Sequence, residues 1–233
     1  MDQALIESVR AGDRKALARA ISLVERGTPL ENAVPTPRHI IGITGPPGAG
    51  KSTLISAMIE TLRGSGETVA VLAIDPSSPL TGGALLGDRI RMQGHVEDPG
   101  VYVRSMATRG HLGGLAKAAG DALHLIGLAG FDRVIVETVG VGQSEVEVMG
   151  VADVVVLVVA PGWGDQVQAD KAGVVEVADI VVINKADRAG VEEVKRALTE
   201  AIGVREVDLV VITATTGEGI ETLLEAIDRR SAQ

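Results

Sequence analysis

The sequence predicts an α/β fold: a doubly wound, mostly parallel sheet with helices on both faces and a helical arm at the N-terminus. Two observations predict it. Short aliphatic runs rich in Val and Ile alternate with amphipathic stretches from His39 onward, and the residues before Pro37 show helical periodicity. Runs that are apolar at successive positions are typical of strands buried on both faces of a parallel sheet. Their alternation with helices implies right-handed crossovers.

The arm is predicted over residues 1–36, and the main domain over residues 37–233. Asp13 follows a break in the helical pattern and can cap a second helix, which Gly27 is suited to end. The apolar positions of that second helix recur at helical spacing and are Leu17, Ala20, Ile21 and Val24. The two prolines of Val34-Pro-Thr-Pro37 then favour an extended linker.

The apolar runs predict the strands and helices of the main domain. The predicted strands are residues 39–44, 68–74, 101–104, 133–137, 154–160, 180–184 and 207–213. The predicted helices are residues 52–62, 115–128 and 191–202, with a last helix whose apolar stripe includes Ile220, Leu223, Leu224 and Ile227.

Composition excludes several classes of protein. The chain has 233 residues, a formal charge of −9 and only three aromatic residues, Tyr102, Phe131 and Trp163. It therefore offers few rings for base stacking, and its charge repels phosphate backbones, so we expect no nucleic-acid partner. The lack of cysteine excludes disulfides and thiolate zinc sites. There is no signal-peptide pattern, and the longest apolar run is far short of the ~20 residues of a membrane span, so we expect a cytoplasmic protein without membrane contact.

A phosphate-binding loop is the most specific motif. Gly45-Pro-Pro-Gly-Ala-Gly-Lys-Ser52 fits the P-loop pattern G-x-x-x-x-G-K-[ST], and it lies between a predicted strand and a predicted helix. This context predicts a P-loop NTPase. Backbone amides can bind phosphate oxygens, Lys51 can reach the β- and γ-phosphates, and Ser52 can ligate Mg²⁺. The predicted phosphate-binding residues are Gly48, Ala49, Gly50, Lys51, Ser52 and Thr53.

A second motif indicates guanine rather than adenine. Asn184-Lys-Ala-Asp187 follows a predicted strand and matches the N-K-x-D motif of GTPases. The Asp187 carboxylate can accept hydrogen bonds from guanine N1–H and the exocyclic amine, whereas adenine offers no such donor pair. Asn184 can support the loop and the O6/N7 edge of the base, and the Lys185 stem can cover the base. Thr213-Ala-Thr215, after the next strand, stands where GTPases place an S-A-type loop that touches the base.

Residues 137–140 match the D-x-x-G segment with a glutamate in place of the aspartate. Glu137 can hold Mg²⁺ through water, and the Gly140 amide can sense the γ-phosphate. Val141 stands where some GTPases carry a water-orienting glutamine, so we expect slow intrinsic hydrolysis. The role of Gln143 is open.

Two loops are candidates for movement. Asp75 ends a predicted strand within reach of the Mg²⁺ position, and residues 76–92 after it are rich in glycine and charge. Phosphate and metal can order such a loop, although a solvated charged loop is the alternative. Residues 161–168 place Trp163 between two glycines, which favours contact with a partner over a plain connection.

Further segments extend the pattern beyond general GTPase motifs. They are Asp75-Pro-Ser-Ser-Pro79, Gly87-Asp-Arg-Ile-Arg-Met92, Arg109-Gly-His-Leu-Gly-Gly-Leu-Ala116 and Glu137-Thr-Val-Gly-Val-Gly-Gln-Ser-Glu145. Together with the P-loop, the N-K-x-D motif and the arm, they resemble the MeaB/ArgK-type GTPases, which are chaperones of adenosylcobalamin-dependent acyl-CoA mutases. The resemblance covers nearly the whole chain.

The resemblance implies roles for particular residues. It implies Mg²⁺ ligands or near ligands at Ser52, Asp75, Asp88 and Glu137. It implies that Arg91 moves in a first switch and takes part in catalysis with Lys51 and Glu137. It also implies a third switch over residues 165–171, with Asp165, Gln166 and Lys171 coupling nucleotide state to the mutase.

The function implied by the resemblance is a GTPase that gates cofactor loading and protects or reactivates the mutase, which stimulates hydrolysis in return. Its ligands are GTP or GDP and Mg²⁺, and we expect no cobalamin on this chain alone. Its partners are the mutase, with or without an adenosyltransferase, and a second copy in a homodimer. Family members commonly continue into a C-terminal dimerisation arm, whereas this chain ends at Gln233, so either a short form or another dimer surface is expected.

Two alternatives belong to other classes. A P-loop kinase for a small molecule is disfavoured by the N-K-x-D motif and the lack of an evident acceptor site. A GTPase for nickel insertion is disfavoured by the missing cysteines and by histidines without ligand spacing. The sequence leaves open which mutase is served, since methylmalonyl-, isobutyryl-, ethylmalonyl- and hydroxyisobutyryl-type enzymes all remain, and whether cofactor delivery is direct.

Overall fold

A computed structural model describes residues 1–30, 39–75, 93–95, 97–107, 112–138, 149–162 and 174–232. Seven parallel strands form one sheet in the order β3-β2-β4-β1-β5-β6-β7. They are β1 (Ile40–Thr44), β2 (Val69–Asp75), β3 (Val101–Ala107), β4 (Arg133–Thr138), β5 (Val154–Val159), β6 (Ile180–Ile183) and β7 (Asp208–Val211). The predicted α/β fold with a doubly wound sheet is confirmed, and the sheet is parallel throughout.

The helices occupy the predicted places, apart from a four-residue helix at Val174–Val177 that the sequence does not predict. They are α1 (Gln3–Arg10), α2 (Arg14–Glu25), α3 (Lys51–Gly64), α4 (Leu112–Leu128), α5 (Val174–Val177), α6 (Val191–Ile202) and α7 (Ile220–Ser231), with a short 3₁₀ turn at Gln93–His95. The main difference is β3, which runs three residues past the predicted end at Arg104. Its pairing with β2 continues to Asp75↔Ala107, so the ladder extends the strand after the apolar run has ended.

The chain divides into two compact units, Met1–Ile40 with Leu62–Val136, and Ile41–Thr61 with Glu137–Gln233. In the first unit the predicted helical arm packs against α4 and β3. Asp13 caps α2 as predicted, because its Oδ1 accepts from the amides of Lys15 and Ala16 at 2.8 and 3.2 Å. The division into an arm of residues 1–36 and a domain of residues 37–233 stays a prediction.

In the second unit β1, β5 and β6 are buried along their whole length, as their continuous apolar sequences require. Their register pairs Ile43 with Val156 and Val159 with Ile183. Because parallel strands end at the same edge of a sheet, the segments that follow these three strands begin side by side. No helix among the described residues is long and apolar enough to cross a membrane.

Candidate functional site

The loop between β1 and α3 depends on glycines with positive φ. Gly45, Gly48 and Gly50 have φ angles of 143°, 79° and 95°. A Cβ at Gly45 would collide with the carbonyl oxygen of Val158 in β5, and a Cβ at Gly50 would collide with the carboxamide nitrogen of Asn184. Glycine therefore serves two purposes here, left-handed backbone and close approach to a neighbouring segment.

Lys51 is the first residue of α3, and its side chain folds back over the loop. Its Nζ donates to the carbonyl oxygens of Gly45 and Pro46 at 2.8 and 3.2 Å, and the residue is only 7% exposed. A positive charge and a helix N-terminus thus lie together at a glycine-rich loop. This combination favours a bound phosphate.

Ser52 and Glu137 form a buried pair of oxygen donors. The Ser52 Oγ donates to Glu137 Oε1 at 3.0 Å, and the two residues are 5% and 1% exposed. Mg²⁺ prefers such hard oxygens and commonly binds one or two carboxylates together with phosphate oxygens and water. The pair therefore fits Mg²⁺ at the phosphate loop. Among the described residues no group of three or more His, Asp or Glu forms a separate metal site.

Asn184 joins three segments that are far apart in sequence. Its Nδ2 donates to the carbonyl oxygen of Ala49 at 2.9 Å, and its Oδ1 accepts from the amides of Lys185 and Ala214 at 2.7 and 3.1 Å. The residue is 2% exposed. The phosphate loop and both predicted base-contacting loops are therefore held by one carboxamide. The predicted contact of Asn184 with the O6/N7 edge of guanine stays a prediction.

A cavity of about 210 Å³ lies beside this junction. Its walls are residues 46–49 of the phosphate loop, residues 160–162 after β5, and Lys185. Lys185 has a φ of 60° and its Nζ donates to the carbonyl oxygen of Gly48 at 2.6 Å, so its stem spans one side of the cavity. This opening is therefore next to the P-loop.

The remaining base-contacting candidates follow β6 and β7. Asp187 is exposed, and the preceding amide, that of Ala186, donates to the carbonyl oxygen of Ile212 at 3.0 Å. Thr213 and Ala214 are buried, whereas Thr215 is exposed. An antiparallel bridge between Thr213 and Glu218 closes this second loop.

Some predicted site residues lie outside the described residues, and these are Asp88, Arg91, Gly140, Val141, Gln143, Trp163, Asp165, Gln166 and Lys171. For Asp75 the backbone ends β2, and its side chain also lies outside the described part. The described residues therefore bring together the P-loop, Ser52, Glu137 and the two base-contacting loops. Their roles toward a nucleotide remain predictions.

Sequence reasoning missed one wall of the cavity. Ala160, Pro161 and Gly162 follow β5 and line it, whereas the sequence suggested only partner contact for residues 161–168. The sequence alone does not give this wall, because it follows from the pairing of β5 with β1, which brings the end of β5 beside the phosphate loop.

Fold and motifs define a P-loop nucleotide-binding protein whose base-contacting segment has the GTPase form. The family model of the methylmalonyl-CoA mutase-associated GTPase MeaB matches residues 17–233. The chain therefore belongs to this family, as the sequence resemblance implied.

Curated relatives agree with this assignment. A Pyrococcus horikoshii protein whose name describes it as a GTPase is 50% identical over 239 residues, covering 96% of this chain and 75% of the relative. GTPase ArgK of Escherichia coli is 44% identical over 193 residues, 78% of this chain and 58% of that protein. The mouse mitochondrial methylmalonic aciduria type A homolog is 35% identical over 236 residues, 96% of this chain and 57% of that protein.

Solved structures share the fold. A structure described as a LAO/AO transport system kinase superposes with a TM-score of 0.76 at 28% identity, covering all of this chain and 76% of that one. The hydrogenase maturation factor HypB of Archaeoglobus fulgidus gives a TM-score of 0.61 at 18% identity, over 94% of this chain and 98% of that one. At that identity the second likeness shows the fold alone.

Proposed function

We propose that this GTPase family member is a Mg²⁺-dependent chaperone that binds and hydrolyses GTP, gates cofactor loading, and protects or reactivates an adenosylcobalamin-dependent acyl-CoA mutase. The observation that carries the nucleotide part is the Asn184 carboxamide, which holds the phosphate loop at Ala49 and a base-contacting loop at Ala214. One ligand with phosphates and a base can bridge both loops.

GTP is favoured over ATP by the residues around the cavity. Asp187 supplies an acceptor for the two donors on guanine, and the loop of Thr213, Ala214 and Thr215 supplies backbone groups beside it. Adenine would leave the Asp187 carboxylate without donors, which disfavours it. The Lys185 stem would cover one face of the base.

Hydrolysis is assigned to residues at the phosphate end. Lys51 would stabilise charge on the β- and γ-phosphates, and Ser52 and Glu137 would hold Mg²⁺, with Asp75 and Asp88 completing its surroundings. Mg²⁺ would supply charge neutralisation on the phosphate oxygens. Arg91 and the Gly140 amide would respond to the γ-phosphate, and Val141 leaves intrinsic turnover slow.

The mutase part is supported by the family name, which ties its members to methylmalonyl-CoA mutase. In this proposal Asp165, Gln166 and Lys171 couple nucleotide state to the mutase, and mutase binding raises the GTPase rate. The working protein is a cytoplasmic homodimer. It holds no cobalamin itself, and the adenosyltransferase joins the complex when cofactor is loaded.

The test is a GTPase assay of the wild-type chain with a panel of acyl-CoA mutases. The cognate mutase should raise kcat at least several-fold. Lys171→Ala should reduce that rise while leaving basal hydrolysis unchanged, and Lys195→Ala, at an exposed position of α6, is the matched control. No rise with any mutase would contradict the partner, and normal stimulation of Lys171→Ala would contradict the coupling residue.

A further inference from the structure

Arg205 caps the end of the short helix α5. Its Nη2 donates to the carbonyl oxygens of Glu176 and Ala178 at 2.6 and 3.3 Å. The last carbonyls of a helix have no partner within the helix, and a cationic donor at that end satisfies them and complements the helix dipole. Since a four-residue helix is marginal by itself, α5 depends on contacts of this kind.

The residues after α5 are fixed from another side. The Asp179 carboxylate accepts from the Val155 amide at 2.8 Å, and the Asp179 amide donates to the Val155 carbonyl oxygen at 2.9 Å. Ala178 is 1% exposed and packs in the core with Leu157. The chain entering β6 is therefore rigidly held, and Arg205 extends that hold backward by one helical turn.

Arg205 itself lies in an exposed loop. It lies in the segment between α6 and β7, next to Val204, whose side chain is fully exposed. A single terminal nitrogen, Nη2, donates to both carbonyls, so this contact uses the reach and the positive charge of the side chain. The arrangement therefore favours a long cationic side chain at this position.

We propose that Arg205 is a positioning residue that holds α5, the helix that directly follows residues 163–173 in sequence. This inference rests on the proposed function, in which Asp165, Gln166 and Lys171 of that segment couple nucleotide state to the mutase. Because Arg205 contacts the end of α5, we expect its loss to affect the signal and to leave nucleotide binding unchanged.

The first test measures amide hydrogen exchange of the whole chain and follows it in the fragment that covers residues 174–179. Arg205→Met keeps an unbranched stem and removes the donors, so exchange there should become about tenfold faster, whereas Arg205→Lys should restore part of the protection. Arg196→Met, at an exposed position of α6, is the matched control. Equal exchange in Arg205→Met and Arg196→Met overturns the proposal.

The second test uses Trp163, the only tryptophan of the chain, as a fluorescent reporter. Arg205→Met should reduce the difference in emission between the GTP and GDP forms at least twofold, with GTP affinity unchanged and partial rescue by Arg205→Lys. A merely stabilising contact would lower Tm and leave that difference intact, which overturns the signalling role.

The two failures are distinguishable. If wild-type emission is the same with GTP and GDP, the proposed role of residues 163–173 fails and the signalling role of Arg205 fails with it. The exchange experiment needs neither nucleotide nor mutase, so it still decides whether Arg205 holds α5.

Discussion

The carboxamide nitrogen of Asn184 donates to the carbonyl oxygen of Ala49 at 2.9 Å, across 135 residues of sequence. Both groups are buried, and the hydrogen bond ties the end of β6 to the phosphate loop. A buried carboxamide that has lost a partner costs about 1–3 kcal/mol, so the two loops are expected to keep or lose their positions together.

Gly50 and Gly48 provide a matched pair to test this junction. Both have positive φ, 95° and 79°, but only a Cβ at Gly50 would meet the Asn184 carboxamide, while a Cβ at Gly48 meets nothing within 4 Å. Alanine at either position costs about 1 kcal/mol for the left-handed backbone. We expect Gly50→Ala to be more destabilising by a further ~1–3 kcal/mol in urea unfolding, since it displaces Asn184. An equal loss in the free energy of unfolding for the two variants would show that displacing Asn184 costs no stability.

Asp187→Asn should change which nucleotide binds. Asparagine presents a donor where the carboxylate offers only acceptors, so affinity for GTP should fall by about 10- to 100-fold and affinity for xanthosine triphosphate should rise. Competition against a fluorescent GTP analogue measures both constants. Glu200→Gln removes a charge from an exposed position of α6 and is the control. An unchanged GTP affinity would remove Asp187 from the base site.

How far the sequence predicted the site depends on how local each interaction is. The P-loop was predictable because its glycines and Lys51 act within one turn of chain. Asn184 was predicted to support its own loop, but its bond to Ala49 depends on the order of strands and has no signature in spacing. Arg205 was missed for the same reason, since a single exposed arginine gives no pattern and its carbonyl partners lie 27 and 29 residues away.

Ser52 and Glu137 should behave as one ligand set for Mg²⁺. The Ser52→Ala and Glu137→Gln single variants should each raise the Mg²⁺ concentration needed for half-maximal hydrolysis by about 10- to 100-fold. In the double variant this concentration should rise by less than the product of the two single factors, because the effects of substitutions at residues in contact are not additive. Ser56→Ala, one turn further along α3, is the control. Full additivity would place the two residues in separate roles.

Asp98 should make folding stability depend on acid pH. The hydrogen bonds from the Arg63 guanidinium, at 2.9 and 3.0 Å, and from the Gly100 amide lower the pKa of Asp98 below its ordinary 3.8. A carboxyl group whose pKa is lower in the folded than in the unfolded state stabilises the protein at pH values above the unfolded-state pKa. This stabilisation is lost as the pH falls through the folded-state pKa.

The Asp98→Asn variant removes this contribution while keeping the shape of the side chain. The difference in urea midpoint between wild type and Asp98→Asn should therefore be largest near neutral pH and should shrink from about pH 4 downward. Hydrogen bonds from Thr68 also lower the pKa of Asp132, so both proteins lose further stability in the same pH range. That loss is common to both and cancels in the difference. Glu97→Gln, at the exposed neighbouring position, serves as the control. A difference that stays constant down to about pH 2 would mean that the Arg63–Asp98 pair acts through packing and not through charge.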